Sequence, residues 1–164
     1  MFKLPYHYAE SLIVSASPQA LFSFVDNHAN LSSHMGRSSL MMGGGSMVTE
    51  IDNDLGQKVG SHIQLKGKAF GLNIYLDEVV TQHEPPKLKS WETVAYPKLY
   101  VIGNYRMGFE ITPQEKGSRL VVFIDYELPR GAARLLGFLF GYMYAQWCVK
   151  QMITSVRKNF VTRQ

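Results

Sequence analysis

The chain has little cysteine: Cys148 is the only one, so no disulfide can form within it, and a reducing, cytoplasmic setting is expected. It has no concentrated basic stripe. The net charge of +4 is mild, and no run of Lys or Arg exceeds two residues, Arg157-Lys158 being the nearest approach. Phosphate neutralisation needs denser positive charge, so nucleic acid is not expected as a partner. The N-terminus, Met1 to His7, lacks an apolar h-region, and no signal peptide is expected. No run reaches the roughly 20 apolar residues that a spanning helix needs. The nearest candidate, Leu135 to Val149, has 15 residues, is broken by Gln146 and follows Arg134; Gly137 and Gly141 give it a G-x-x-x-G spacing. It reads as a helix buried along most of its circumference, with a peripheral membrane contact left open.

Missing chemistry narrows the field further. The five histidines, His7, His28, His34, His62 and His83, form no His-x-x-x-His pair and do not cluster with Cys148. No metal is expected, and the histidines read as surface or capping groups. Gly43-Gly44-Gly45 is followed by no Gly-Lys-Ser/Thr and leads into a strand rather than a helix N-terminus. It reads as a flexible loop, not a phosphate cradle. No Ser-His-Asp or Cys-His arrangement can be argued, since Cys148 lies in an apolar helical stretch without a local base. No cofactor is implied.

What remains is ordinary globular material. The 164 residues are 46% apolar and 18% charged, which suits one soluble domain spanning 1–164. Leu12-Ile13-Val14 reads as a short strand. Ser17-Pro18 opens a helix, with Ser17 as N-cap and Pro18 at the first helical position, and Asp26-Asn27 end it. A second short helix is expected over Ala29 to Met35, then a mobile loop with four glycines over Gly36 to Ser46. Strands follow over Met47 to Asp52, Ser61 to Phe70, Leu72 to His83, Leu88 to Ala95, Leu99 to Thr112 and Ser118 to Leu128. With no helices between them they form an antiparallel meander. If the last hairpin turns at Gln114 to Gly117, Ile111 faces Leu120, Phe109 faces Val122, Met107 faces Ile124 and Tyr105 faces Tyr126. Arg106 and Asp125 then pair on the opposite face. From Gly131 to Phe160 the period becomes helical, with an inward stripe expected at Leu135, Leu139, Tyr142, Gln146, Val149, Ile153, Val156 and Phe160.

This order of elements, the entry Val14-Ser15-Ala16-Ser17-Pro18-Gln19-Ala20-Leu21-Phe22 and the turn Gly117-Ser118-Arg119-Leu120 resemble the SRPBCC or START-like superfamily, in its polyketide cyclase/dehydrase and lipid-transport branch. The resemblance implies an α+β helix-grip fold, in which a curved six- to seven-stranded antiparallel sheet wraps a long C-terminal helix. Two short helices follow the first strand. It also implies an apolar cavity holding a hydrophobic small molecule. The branch contains binders, carriers and enzymes, and no catalytic motif of it can be matched here residue by residue, so the resemblance speaks for fold more than for function.

Candidate site residues follow from residue type and placement. Met35, Met41, Met42 and Met47 crowd the glycine-rich stretch and suit either a flap over a cavity mouth or plain core packing. Of the neighbours Trp91 and Glu92, strand parity sends one inward. An inward Glu92 is a carboxylate with a raised pKa, whereas an inward Trp91 is a cavity wall. Tyr75, Tyr105, Met107, Tyr142 and Gln146 are further lining candidates, the tyrosines joining an apolar body to a polar tip. Arg106 could hold a guest's carboxylate or phenolate in bidentate fashion, but the hairpin register favours an exposed ion pair with Asp125 on the outer face. Binding or carriage of a lipid, quinone or polyketide-like aromatic is the leading expectation. A metal-free cyclase or dehydratase, and an interaction module of the chaperone-partner type using the outer sheet face, are the alternatives.

Overall fold

The computed structural model describes residues 3–32, 47–69, 71–94, 97 and 99–161. The chain runs β1 (Tyr6–Val14), α1 (Pro18–Asp26), α2 (His28–Ser32), β2 (Met47–Ile51), β3 (His62–Ala69) and β4 (Leu72–Glu84). It continues through β5 (Leu88–Thr93), β6 (Tyr105–Gln114), β7 (Gly117–Tyr126) and α3 (Ala133–Phe160). One seven-stranded antiparallel sheet has the order β1-β7-β6-β5-β4-β3-β2, a meander from β2 to β7 closed by the N-terminal strand. This is the helix-grip architecture. The expected loop over Gly36 to Ser46, with Met35, Met41 and Met42, lies outside the described residues.

Local chemistry sets the boundaries. Ser17 caps α1 through its hydroxyl, which accepts from the Ala20 N–H at 3.3 Å, and Pro18 occupies the first turn, where no donor is lost. β1 starts six residues earlier than expected because it pairs with β7 along its whole length, from Tyr6–Tyr126 to Val14–Ser118. β6 starts later, at Tyr105. The chain before it leaves the sheet, and the Gly103 N–H donates to the Glu127 carbonyl at 2.8 Å. The β6–β7 register is the expected one at every pair, with Arg106 holding Asp125 on the outer face at 2.8 Å.

The inner face of the sheet carries Ile63, Leu65, Leu76, Val80, Trp91, Met107, Phe109, Val122 and Ile124, all buried with α1 and α3 in one core. In β4 a bulge between Val80 and Gln82 resets the parity, so that Val80 and His83 both come to this face, opposite Trp91 and Lys89.

The long helix is continuous over 28 residues, and its inward stripe differs from the expected one. Its buried residues are Gly137, Gly141, Ala145, Cys148, Val149, Met152, Ile153 and Val156. Leu135 (67% exposed), Leu139 (59%) and Tyr142 (59%) point away from the core. The reason is distance. A Cβ on Gly137 would lie 2.4 Å from Pro129 Cδ and 3.0 Å from the Val101 carbonyl oxygen, and one on Gly141 would lie 3.0 Å from that same oxygen. The helix approaches the chain so closely there that only a face without side chains fits, whatever the hydrophobicity of the others. From Val149 onward the larger apolar residues face inward as expected. Among the described residues no helix is long and apolar enough to cross a membrane.

Candidate functional site

Three strands and the helix converge on one buried carboxyl. Glu78 extends the inward alternation of β4, lying between Leu76 and Val80, and is 3% exposed. β5 places Trp91 beside it and β6 places Tyr105 across from it. The Tyr105 hydroxyl donates to Glu78 Oε1, and Trp91 bonds the same carboxyl. From the helix side come Tyr144 and Cys148, hydrogen-bonded to each other and close enough to Glu78 and Tyr105 to act on them electrostatically.

The strands hold this group rigidly. The Tyr105 N–H donates to Thr93 Oγ1 at 3.2 Å, and Thr93 in turn donates to Asn104 Oδ1 at 3.1 Å. Asn104 Nδ2 donates to Glu127 Oε1 at 2.7 Å. The His28 ring meets Trp91 edge-on at 5.7 Å, tying the start of α2 to the same site. A hydrogen-bonded second layer of this kind keeps the inner side chains in one geometry.

Burial dominates the electrostatics. It pushes the Glu78 carboxyl up to about 7, against the hydrogen bonds from Tyr105 and Trp91 that pull it down. Burial also raises Tyr105 well above the usual phenol value, helped by the charge on Glu78. Tyr144 is raised in the same way, and the Cys148 thiol is pushed up to about 12 by burial. Cys148 is therefore a neutral packing and hydrogen-bonding group rather than a nucleophile. Near neutral pH Glu78 divides between its two forms. As a carboxylate it accepts from Tyr105 and Trp91, and as an acid it has a proton to give to a bound molecule.

Of the sequence-predicted site residues, Trp91, Tyr105 and Met107 come together, with Trp91 and Met107 direct cross-strand partners. Met47 is buried at the start of β2, on the same face but toward the far edge. Tyr142 and Gln146 meet elsewhere, under the β1 edge. The Tyr8 ring packs edge-on against Tyr142 at 5.7 Å, and the Tyr8 hydroxyl bonds Gln146 and donates to Glu10 at 3.1 Å. Two candidates face the wrong way for an inner site. Glu92 lies on the outer face opposite Arg106, one residue out of parity with Trp91, and Tyr75 lies on that face opposite Lys66, whose ammonium sits 6.0 Å from its ring. Met35 lies outside the described residues.

Sequence reasoning missed Glu78, Tyr144 and Cys148. The signal for Glu78 was present: Leu76, Glu78 and Val80 alternate on one face, so an acid stands in an apolar row. The bulge at Thr81 hid that row by putting the rest of the strand out of phase.

A second buried polar group lies at the end of α1. Lys89 Nζ donates to the Asp26 carbonyl oxygen at 2.9 Å and to Asp26 Oδ1 at 2.8 Å, and His83 Nε2 lies 3.0 Å from the same carboxylate oxygen. Burial lowers the Lys89 pKa while Asp26 opposes the shift. Through these two bonds Lys89 pins the C-terminal end of α1 to the sheet. Among the described residues no group of His, Cys, Asp and Glu has the arrangement of a metal site.

No protein-family model matches the chain, and no curated protein matches it by sequence. Solved structures do match. The di-domain ARO/CYC StfQ of the steffimycin biosynthetic pathway aligns at a TM-score of 0.67 and 10% identity, over 96% of this chain and 51% of that one. Norcoclaurine synthase from Thalictrum flavum, solved with dopamine and hydroxybenzaldehyde, aligns at 0.67 and 13% identity over 97% and 88%. A protein from Thermus thermophilus aligns at 0.64 and 12% identity over 93% and 95%. The likeness is one of fold. At such identities the shared helix-grip architecture assigns no activity to this chain.

Proposed function

We propose that the chain binds a hydrophobic small molecule between β4–β6 and α3, with Glu78 as the polar anchor of an otherwise apolar site. The observation that carries this is a carboxyl buried on the inner sheet face, with Tyr105 and Trp91 donating to it and Tyr144 and Cys148 opposite. Leaving a buried acid in an apolar row is costly unless something uses it. The flanking aromatic rings suit a flat or extended guest such as a lipid, quinone or polyketide-like aromatic that carries one hydrogen-bonding group. Support of a general kind comes from the fold, since a structure of the same architecture is described with two small aromatic molecules bound.

A second reading has its own observation. A carboxyl held up to about 7 is suited to proton transfer at neutral pH, so a cyclase or dehydratase using Glu78 as general acid–base is the alternative. Native mass spectrometry of protein purified without detergent tests the guest directly, with an adduct of small-molecule mass expected. Titration with an environment-sensitive apolar dye should show Trp91→Ala and Glu78→Leu altering affinity by roughly tenfold, the scale of one lost buried contact. Bare protein mass in every preparation, with dye affinity untouched by both substitutions, would discard the binding reading.

A further inference from the structure

We infer that the first half of α3 docks on the surface of an anionic lipid bilayer. Because Gly137 and Gly141 take the face against Pro129 and Val101, the remaining residues of this segment are turned outward. Leu135, Leu136, Phe138 (74% exposed), Leu139, Phe140 and Met143 are all exposed, within three turns of one helix. The later half of the same helix is embedded through Val149, Met152, Ile153 and Val156, so the apolar segment is presented on a rigid support. Contiguous apolar exposure of this kind marks an interaction surface rather than ordinary surface variation.

Charge chooses the occupant. From Gly131 to Gln164 there is no Asp or Glu, although the chain has 13, while Arg134, Lys150, Arg157, Lys158 and Arg163 all fall there. Arg130 and Arg134 stand exposed at the entry to the apolar segment. Apolar side chains on a helix whose only charged residues are cations match the boundary between acyl chains and anionic headgroups. A second copy of the chain is a poorer fit, since helix-to-helix pairing would bring cations against cations with no acid on either helix to offset them. The segment is also too short to span, so it lies on the membrane rather than across it. The inference goes beyond guest binding and stands without it. Tyr144 and Cys148 nevertheless follow directly on the docking segment, which puts the Glu78 site next to the lipid surface.

The test is co-sedimentation of the full chain with vesicles of phosphatidylcholine alone and of phosphatidylcholine with one-third phosphatidylglycerol. Binding to the anionic vesicles is expected to be at least about tenfold tighter, and to weaken as salt shortens the screening length. Phe138→Glu with Leu139→Glu, and separately Arg134→Glu, should each weaken it by roughly tenfold or more while leaving the thermal transition in place, because these side chains are exposed. Vesicle binding unchanged in both variants would overturn the inference. So would an absence of binding to the anionic vesicles by the parent; combined with a dimer, by light scattering, that the Phe138→Glu/Leu139→Glu protein no longer forms, that result would give the surface to a second copy. A guest adduct seen or not seen by native mass spectrometry alters neither outcome, so the two readings fail separately.

Discussion

Glu78 shows how one residue takes its chemistry from its surroundings. On the outer face Glu92 stands half-buried opposite Arg106, whereas Glu78 faces the core. Turned inward, it is pushed up to about 7 because burial disfavours the charged form more than Tyr105 and Trp91 can restore it. A stability consequence follows. The folded chain keeps the Glu78 proton to about pH 7, whereas the unfolded chain releases it near 4.5. Between those values the folded state binds more protons, so stability is full below about 4.5 and falls as pH rises through 7. The shift corresponds to a few kcal/mol at most. Glu78→Gln, which keeps the shape and removes the titration, should flatten the pH dependence of Tm across the interval between those two values and raise Tm at the upper end. A Glu78→Gln profile that falls in parallel with the parent would mean that this carboxyl is ionised inside the folded protein throughout. Lys89 makes the contrasting case: also buried, it is engaged by Asp26 on two atoms and serves to fix α1.

Elements differ in how much of their placement the sequence reveals. The β6–β7 hairpin was fully legible, because a tight turn at Gln114–Gly117 and four consecutive apolar pairs leave no competing register. The length of α3 was legible from its period, but the inward face of its first half was not. Periodicity ranks faces by hydrophobicity, and residues 135–143 are apolar on nearly every side, so that ranking has nothing to separate. The deciding quantity was the closeness of Pro129 and Val101, which is tertiary and local to Gly137 and Gly141. Replacing Gly137 by Ala should therefore destabilise the protein by about 1–3 kcal/mol through overpacking, despite the better helix propensity of alanine. Leu139→Ser, one half-turn away and exposed, should cost less than about 1 kcal/mol even though it removes a large apolar side chain. Chemical denaturation of the two variants checks the ordering. A larger loss from Leu139→Ser would restore the stripe expected from periodicity and remove the close glycine contact.

At the scale of the whole molecule, the fold was readable because strand order, hairpin spacing and a long final helix constrain one another. The site was readable only in part, because it exists where β4, β5, β6 and α3 meet. Trp91, Tyr105 and Met107 could be nominated from residue type. Glu78 could not be paired with Tyr105 until the register from β4 through β5 to β6 was in place, and the bulge at Thr81 concealed its row. On the proposed binding reading, that arrangement couples guest binding to protons. A neutral guest that accepts a hydrogen bond from the protonated Glu78 carboxyl raises its pKa further, so binding favours that form. Affinity for such a guest should then fall as pH rises through about 7, the range in which free Glu78 ionises. A cationic guest would reverse the sign, since it gains from the carboxylate. Dye titration of the parent and Glu78→Gln proteins, from about one unit below that value to about one unit above it, separates the cases. The expected result is an affinity decreasing with pH in the parent and level in Glu78→Gln. An affinity that rises with pH in the parent alone would identify the preferred guests as cations, and level profiles in both would place the dye away from Glu78 and remove the carboxyl from the binding reading.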